Sequence, residues 1–355
     1  MTIVGADVAS WVTVGVDTHR DEHVAAVLDA RGGLLATASF PTTPSGHRRL
    51  EEWAQRHGPI EAIGLEGSGS WGAGLCRHLV ASGHHVVDVD RPDRRSRHKA
   101  GKSDTLDAIA AARAVQAGTA AGIPKSRDGT VETIRVLRLE RRSALKARTQ
   151  AANQLHNLVA TAPDELRNEL RTLTLTQLVA RCTRFRPGNL TNPLEGTKHA
   201  LRGIARRHHH LSDEIDDLDT TLAPLISNHP VGARLLTIYG VGPDTAGQLL
   251  VTAGDNPERL RTESTFAHLC GVAPLPASSG QTHHHRLNRG GDRQANAALY
   301  HITLTRLRWH PATRAYAQRR TTQGLSPKDI KRCLKRYVAR EIYRALTTTT
   351  TTCHP

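Results

Sequence analysis

The sequence predicts an α/β amino-terminal domain followed by two mainly helical regions. The first third alternates β-branched runs with amphipathic stretches, the middle has long helical patterns, and the last third has helical spacing around a Ser/Gly loop. We expect an α/β domain over residues 10–125, a helical, partly coiled-coil connector over 126–230 and a mainly α domain over 231–346. Residues 347–355 are rich in threonine and lack core-forming side chains, so we expect a disordered tail.

The amino-terminal elements have a defined order. Three strands come first, and the turn Arg31-Gly32-Gly33 joins the second to the third as a hairpin. A helix, a strand, a helix, a strand and a last helix follow. The predicted strands are Trp11–Asp17, His23–Asp29, Leu34–Phe40, Ile60–Leu65 and His84–Val89, and the predicted helices are Ser45–His57, Trp71–Ser82 and Ser103–Ala117. This is the element order of the ribonuclease-H-like fold, a hairpin-led mixed sheet flanked by helices.

The charge balance favours a polyanionic partner. The chain has 48 Lys and Arg against 33 Asp and Glu, a formal net charge of +15. Because each cation placed on a phosphate releases a condensed counterion, nucleic acid is the expected partner. An anionic membrane surface, or a basic surface without a specific partner, would also fit the charge alone.

Cysteine usage and hydropathy exclude several classes. The five cysteines are scattered and odd in number, which argues against a disulfide framework and a structural zinc site. Residues 1–10 contain an acidic residue and no basic region, which is not typical of a signal peptide. No apolar run is long enough to span a bilayer. We therefore expect a cytoplasmic protein without membrane contact.

Four carboxylates form the main candidate site. Asp17 and Glu66 end the first and fourth strands, whereas Asp104 and Asp107 lie three residues apart at the start of the last helix. In this fold the first strand lies beside the fourth and the helix packs across their ends, so the four should converge. Carboxylates suit Mg²⁺ (or Mn²⁺), and such ions activate phosphoryl transfer. Each residue taken alone would equally serve as a turn or helix cap.

A basic stretch precedes the helix that carries Asp104. Residues 91–102 (RPDRRSRHKAGK) join the last strand to this helix, so their cations would lie beside the acidic residues. We expect them to bind phosphate groups, although a solvated charge run is the alternative. The candidate phosphate-binding residues are Arg94, Arg95, Arg97, Lys99 and Lys102.

Two patterns mark the connector and the start of the last domain. Residues 199–225 have near-heptad apolar spacing, which suits contacts between subunits of a dimer. Residues 238–251 (IYGVGPDTAGQLLV) match a helix-hairpin-helix pattern. The amides of Gly240 and Gly242 would bind a phosphate there without reading base sequence. An ordinary interhelical turn explains the same glycines.

The loop at residues 277–281 places Ser279 and Gly280 before a basic stretch. A serine on such a loop can attack phosphorus where a neighbouring cation or metal stabilises the developing charge. Arg286 and Arg289 in that stretch are candidate nucleic-acid contacts. Taken alone, Ser-Gly in a loop is common and needs no function. The histidines at 283–285 fit solvated or phosphate-contacting side chains better than metal ligands.

Five segments together carry a family resemblance. They are VGVDTH, GLEGSG and KSDTLDA in the first third, and GVAPLPASSG and RGGDRQANAAL in the last. In this order they resemble the DEDD-type transposases of bacterial insertion sequences, which have a RuvC-like amino-terminal domain and a carboxyl-terminal transposase domain. The Piv pilin-gene invertase is similar. The resemblance covers residues 11–346.

The resemblance implies a function and a set of partners. The four carboxylates would hold Mg²⁺, and Ser279 would form a covalent phosphoserine link to DNA, with the adjacent Ser278 leaving the register open. Family members act as homo-oligomers (dimers or tetramers) whose composite sites join domains of different subunits. They also use a structured non-coding guide RNA that pairs with target and donor DNA. The implied protein is an insertion-sequence transposase that exchanges DNA strands.

Three other functions fit parts of the pattern. A RuvC-like Holliday-junction resolvase or nuclease would use the same fold and metal without serine chemistry. A sugar-kinase-like phosphotransferase would explain VGVDTH, but no second glycine-rich phosphate loop is present and +15 is an unusual charge for such an enzyme. A nucleic-acid-binding protein without catalysis would explain the charge alone.

Overall fold

The computed structural model describes residues 11–89, 103–278, 280, 285–288 and 290–348. The chain divides into two compact units, Met1–Ser126 and Arg127–Pro355. Within the described residues, no helix is both long and apolar enough to cross a membrane. Cys182, Cys270 and Cys333 are free thiols.

The first unit is built on one five-stranded mixed sheet with the order β3-β2-β1-β4-β5. Strands β1 to β3 pair antiparallel, whereas β4 and β5 run parallel to β1. The predicted element order and the position of the first strand beside the fourth are confirmed. The strands are β1 Val12–Thr18, β2 Glu22–Leu28, β3 Leu34–Pro41, β4 Ile60–Glu66 and β5 Val86–Val89, and the helices are α1 Pro44–Gln55, α2 Ala73–Ala81 and α3 Asp104–Gln116.

Local side-chain chemistry fixes the predicted hairpin and the start of α1. The carboxylate of Asp29 accepts hydrogen bonds from the backbone amides of Arg31 and Gly33, both at 2.8 Å. Gly32 between them has a φ of +83°, which costs glycine little. The Thr43 hydroxyl caps α1 by accepting from the amide of Gly46 at 3.1 Å.

The two faces of the sheet bury different layers. Val14 and Val16 of β1 pack in a core with Leu50 of α1 and Leu75 of α2. The opposite face packs on α3 in a smaller cluster, which contains Ala26, Leu28, Ala108, Ile109 and Ala112. Because side chains alternate along a strand, Gly15 and Asp17 project towards α3.

Gly15 and Gly64 let α3 lie directly on the sheet. These residues pair with each other across β1 and β4. A Cβ atom on Gly15 would overlap the backbone of Ala108, and one on Gly64 would lie 2.8 Å from the carbonyl oxygen of Ala111. Real Cβ atoms do not approach backbone atoms this closely, so any side chain at either position would push α3 away.

A histidine cluster lies on the α1 and α2 side of the sheet. His23 is fully buried and stacks on His47, with ring centroids 5.6 Å apart. Nearby, the carboxylate of Glu51 is 2.7 Å from His78 Nε2 and 2.9 Å from His84 Nε2. Burial, together with the nearby His47 and His19, lowers the pKa of His23 to about 4.

The second unit is mostly helical, as predicted. Within the described residues of this unit, the β-structure is a short two-stranded ribbon. The elements are α4 Thr130–Ala160, α5 Asp164–Leu170, α6 Leu175–Thr183, α7 Pro193–Ser227, α8 Pro230–Leu236, α9 Pro243–Ala253, a 3₁₀ turn Pro257–Arg259, α10 Glu263–Leu269, β6 Leu275–Pro276, β7 His285–Arg286, α11 Arg293–Trp309, α12 Pro311–Thr322 and α13 Pro327–Thr347.

The heptad-spaced face of α7 packs on α4 of the same chain. Leu201 lies in one core with Leu155 of α4, and Leu222 lies in another with Ile134 of α4. The apolar seam is therefore filled within the chain, so its periodicity does not by itself require a second subunit. The homo-oligomer stays a prediction.

The ends of α4 and α7 share a core with the helices that follow. Val131 and Ile226 pack in one cluster with Leu249 of α9, Leu299 of α11 and Val338 of α13. The predicted boundary between connector and last domain, near residue 230, thus runs through a continuous core. The two compact units divide after residue 126, and the predicted domain bounds stay predictions.

The buried His23 predicts a loss of stability in mild acid. Its pKa is about 4 in the folded chain against 6.5 in the unfolded chain, so the unfolded chain binds the proton more readily between these values. The free energy of unfolding of the first unit should fall as the pH drops below 6.5, by about 3 kcal/mol at pH 4. Denaturant-dependent hydrogen exchange of β2 peptides, at about pH 7 and about pH 5, measures this free energy of unfolding.

Two variants check the assignment of this loss to His23. His23→Leu should remove most of the pH dependence, whereas His85→Leu should retain it, because His85 is exposed in the same unit. An equal pH dependence in the wild type and His23→Leu would contradict the explanation.

Candidate metal centre

Asp17 and Glu66 lie side by side at the carboxyl ends of two parallel strands. Val16 pairs with Leu65 in the β1–β4 register, and the two carboxylate residues follow directly. Both side chains are buried. The Thr18 hydroxyl donates a 2.7 Å hydrogen bond to the backbone carbonyl of Glu66, which ties the two strand ends together. The predicted meeting of these strand ends is confirmed.

Helix α3 brings Asp104 and Asp107 to the same face of the sheet. Both lie in its first turn, and the amide of Asp107 donates to the carbonyl of Ser103 at 3.0 Å. Asp107 is buried, whereas the Asp104 side chain is half-exposed. Their position follows from the direct packing of α3 on Gly15 and Gly64.

Asp17, His19 and Asp104 form a compact trio of possible metal ligands. Their ligand atoms all lie within 4.8 Å of one another. The Nε2 atom of His19 is 3.1 Å from Asp17 Oδ2 and 3.3 Å from Asp104 Oδ1. Within the described residues this is the one group of three that meets this distance, and Glu66 and Asp107 lie outside it.

The sequence reasoning missed His19. It is the last residue of the VGVDTH segment and comes two positions after Asp17. The available signal was an imidazole placed immediately beyond a strand-end carboxylate.

The electrostatics of Asp17 indicate a crowded acidic site. Burial raises the pKa of Asp17, His19 lowers it through charge and a hydrogen bond, and Asp107 and Asp104 raise it through their negative charges. Both helix carboxylates therefore act on Asp17. A dication at this point would offset the mutual repulsion, and the oxygen-rich donor set fits Mg²⁺ or Mn²⁺.

Asp88 faces the other side of the sheet. It pairs with Leu65 in the β4–β5 register, so its side chain and that of Glu66 project from opposite faces. Its carboxylate accepts a hydrogen bond from the Ser68 hydroxyl. Asp88 therefore lies on the face of the sheet opposite to Asp17 and Glu66.

The other predicted contacts are distributed between the described and undescribed parts of the chain. Gly240 has a φ of +83° in the turn between α8 and α9, and the amide of Gly242 already donates to the Thr245 hydroxyl at 3.1 Å. Arg286 is exposed in β7. The remaining predicted residues lie outside the described residues, namely Arg94, Arg95, Arg97, Lys99, Lys102, Ser279 and Arg289.

Two family models match the chain, one in each half. A model for DEDD transposases of the IS110 type matches residues 14–163, which include all four carboxylates. A model described as the IS116/IS110/IS902 transposase family matches residues 232–318, from α8 into α12.

Individual relatives agree with these models. The mini-circle putative transposase for IS117 of Streptomyces coelicolor is 25% identical, over 88% of this chain and 88% of its own length. An IS110 protein of 43.6 kDa, also from Streptomyces coelicolor, is 34% identical over 30% of this chain, which spans 26% of that relative. The transposase for IS1328 of Yersinia enterocolitica is 24% identical over 58% of this chain and 59% of its own length.

Removal of one central carboxylate should weaken metal binding. Asp17→Asn keeps the size of the side chain but removes its charge from the trio. We expect it to lower Mn²⁺ affinity at least about tenfold, as measured by the electron paramagnetic resonance signal of free Mn²⁺. Asp21→Asn removes the same charge from an exposed side chain nearby and should leave the affinity unchanged. Equal affinities of the two variants would argue against a metal centre at Asp17.

Proposed function

Since the chain belongs to the IS110/IS116/IS902 family of transposases, enzymes that act on DNA, we propose that it cuts and rejoins DNA strands at a divalent-metal site. Asp17, Glu66, Asp104 and Asp107 would hold the metal. The observation that carries this proposal is the position of Asp17 and Glu66 at the neighbouring ends of β1 and β4, with the carboxylate of Asp104 from α3 within 4.8 Å of that of Asp17.

The chemistry of the donors supports Mg²⁺ or Mn²⁺. Bound there, such an ion supplies a Lewis acid for the oxygens of the phosphodiester. The chain's own contribution is to hold the acidic side chains close together before any ligand binds. His19 lies between Asp17 and Asp104 and positions both, while the close packing of α3 fixes the height of Asp107 above the sheet.

We further propose that the first unit has the ribonuclease-H-like, RuvC-like fold. The strand order β3-β2-β1-β4-β5, with an antiparallel hairpin at one edge and α3 across β1 and β4, supports this assignment. In such a sheet the carboxyl ends of neighbouring parallel strands form the functional edge, and Asp17 and Glu66 lie there.

A serine nucleophile would complete the strand exchange. The Ser279 oxygen would form a bond to phosphorus as the bond from phosphorus to the leaving strand oxygen breaks. The hydroxyl proton would end on the released strand. The loop lies within residues 232–318, which match the transposase family model. Ser278 is the neighbouring alternative.

We also propose partners beyond the DNA substrate. A non-coding guide RNA and assembly as a dimer or tetramer would follow from the family resemblance, and the net charge of +15 suits a protein that holds two nucleic acids. An assay of the purified chain with RNA transcribed from the flanks of its gene tests the first. Light scattering of the complex tests the second.

A metal-dependent nuclease or Holliday-junction resolvase is the second candidate. The trio of Asp17, His19 and Asp104 favours it, because metal-assisted hydrolysis at these residues needs no hydroxyl from another part of the chain. The two functions differ in whether a covalent protein–DNA adduct forms.

Loss of the buried Glu66 carboxylate should abolish strand cleavage. Glu66→Gln removes the charge from the strand end and should reduce cleavage of a DNA substrate at least about a hundredfold. Glu61→Gln makes the same chemical change at an exposed position of the same strand and should leave cleavage unchanged. The measurement is gel analysis of labelled DNA with Mg²⁺. Full cleavage by Glu66→Gln would overturn the metal-site proposal.

Substitution of the serine separates the two candidates. Ser279→Ala should eliminate the detergent-resistant adduct between the chain and end-labelled DNA, together with recombination, because the attacking oxygen is gone. Ser278→Ala is the matched control and should retain both. Recombination by Ser279→Ala at the wild-type rate would contradict the proposal that Ser279 is the nucleophile.

A further inference from the structure

A basic cleft of about 420 Å³ lies within the second unit. One wall is α13, and the other consists of residues 271–274, which precede β6, and residues 285–288, which begin with β7. The cleft is lined by five cationic side chains, Arg286, Arg332, Lys335, Arg336 and Arg340.

Internal ion pairs neutralise only part of this charge. Arg332 donates to Asp329 at 2.7 Å, and Arg336 pairs with Glu263. Arg340 lies 3.9 Å from the same Glu263 carboxylate and shares it with Arg336. In the part of the chain that the structure describes, neither Arg286 nor Lys335 has a carboxylate within ion-pair distance. The cleft thus keeps a surplus of positive charge.

Lys335 is held in place by a neutral partner. Its ammonium donates a 2.9 Å hydrogen bond to the side-chain oxygen of Asn296. The Asn296 amide in turn donates to the backbone carbonyls of Cys270 at 2.8 Å and Gly271 at 3.2 Å. The ammonium is therefore fixed at the wall of the cleft without losing its charge to a carboxylate.

The surroundings of Lys335 disfavour this charge. The side chain is half-buried, and burial together with the charge of Arg332 lowers the pKa of the ammonium. An anion that enters the cleft would remove this cost, because it supplies the missing opposite charge. The cleft is accordingly suited to an anionic ligand.

We propose that this cleft binds a backbone phosphate of a nucleic-acid strand, with Lys335 and Arg286 as the direct contacts. Arginine forks and lysine point charges are the usual protein donors to phosphodiester oxygens. Arg336, which is paired with Glu263, forms a fixed part of the wall. The inference rests on the proposed function and adds to it a place in the second unit where a strand is held.

Salt-dependent binding of the full chain tests the proposal. The probes are a short fluorescein-labelled DNA duplex of arbitrary sequence and an RNA duplex of the same sequence, in a buffer with chelator so that no strand is cut. Lys335→Met should weaken binding about tenfold and reduce the slope of log affinity against log salt by about 0.9. Arg286→Met, which does not touch Asn296, should have the same effect.

Two control variants separate a phosphate contact from a general charge or folding effect. Lys331→Met removes the same charge from the same helix but lies outside the cleft, over the ring of Tyr300, and should leave the slope unchanged. Lys335→Arg keeps the charge and should keep the slope. A folding defect would not be rescued by the arginine.

The outcomes distinguish this inference from the proposed function. A reduced slope in both cleft variants supports the cleft, and the probe on which it falls identifies DNA, RNA or both as the source of the phosphate. If Lys335→Met and Arg286→Met have the same salt slope as Lys331→Met, the proposal that the cleft binds phosphate is overturned, even if the wild type exchanges strands. A wild type that binds through the cleft but never cuts DNA would overturn the proposed function alone.

Discussion

The close contact between α3 and the sheet is the constraint on which the candidate site depends. Gly15 and Gly64 pair across β1 and β4 and leave no room for a side chain beneath the helix. Two residues further along each strand, on the same face, come Asp17 and Glu66. Because side chains alternate along a strand, the two glycines and the two carboxylates lie on the same face of the sheet. The close packing of α3 on the glycines in turn sets the position of Asp107.

The packing of α3 on the sheet brings several carboxylates together, and the surrounding residues do not fully offset their negative charge. Asp17 is buried, and Asp104 and Asp107 both act on it, while His19 provides the opposing contact. Such a cluster destabilises the fold unless a cation joins it, and groups whose environment disfavours their charge concentrate at functional sites. The other face of the sheet handles polar groups differently, since Glu51 there is paired with His78 and His84.

Sequence patterns predicted the order of the strands, because the spacing of apolar residues marks each element. They also predicted the place of Asp17 and Glu66, because these residues come where a predicted strand ends. Gly15 and Gly64 could not be interpreted in advance, since a glycine in a strand equally marks a bulge or a close approach. Periodicity also located the apolar seam of α7 but could not identify its partner, which is α4 of the same chain. His19 carries no periodic signal, and the loop serine lies outside the described residues and stays a prediction.

The positive charge of the chain is not evenly available to a partner. On α4, Arg138 and Arg141 both contact Asp244, and Arg141 also pairs with Asp219 at 2.9 Å, so these guanidinium groups connect helices of the second unit. These pairs hold the largely buried arginine side chains in fixed positions and lower the local field. Lys335 differs because its fixed partner is the neutral Asn296. Because many of the cations are paired within the chain, the net charge of +15 does not say where a nucleic acid binds. Lys335 is more informative, because no carboxylate in the described structure offsets its charge.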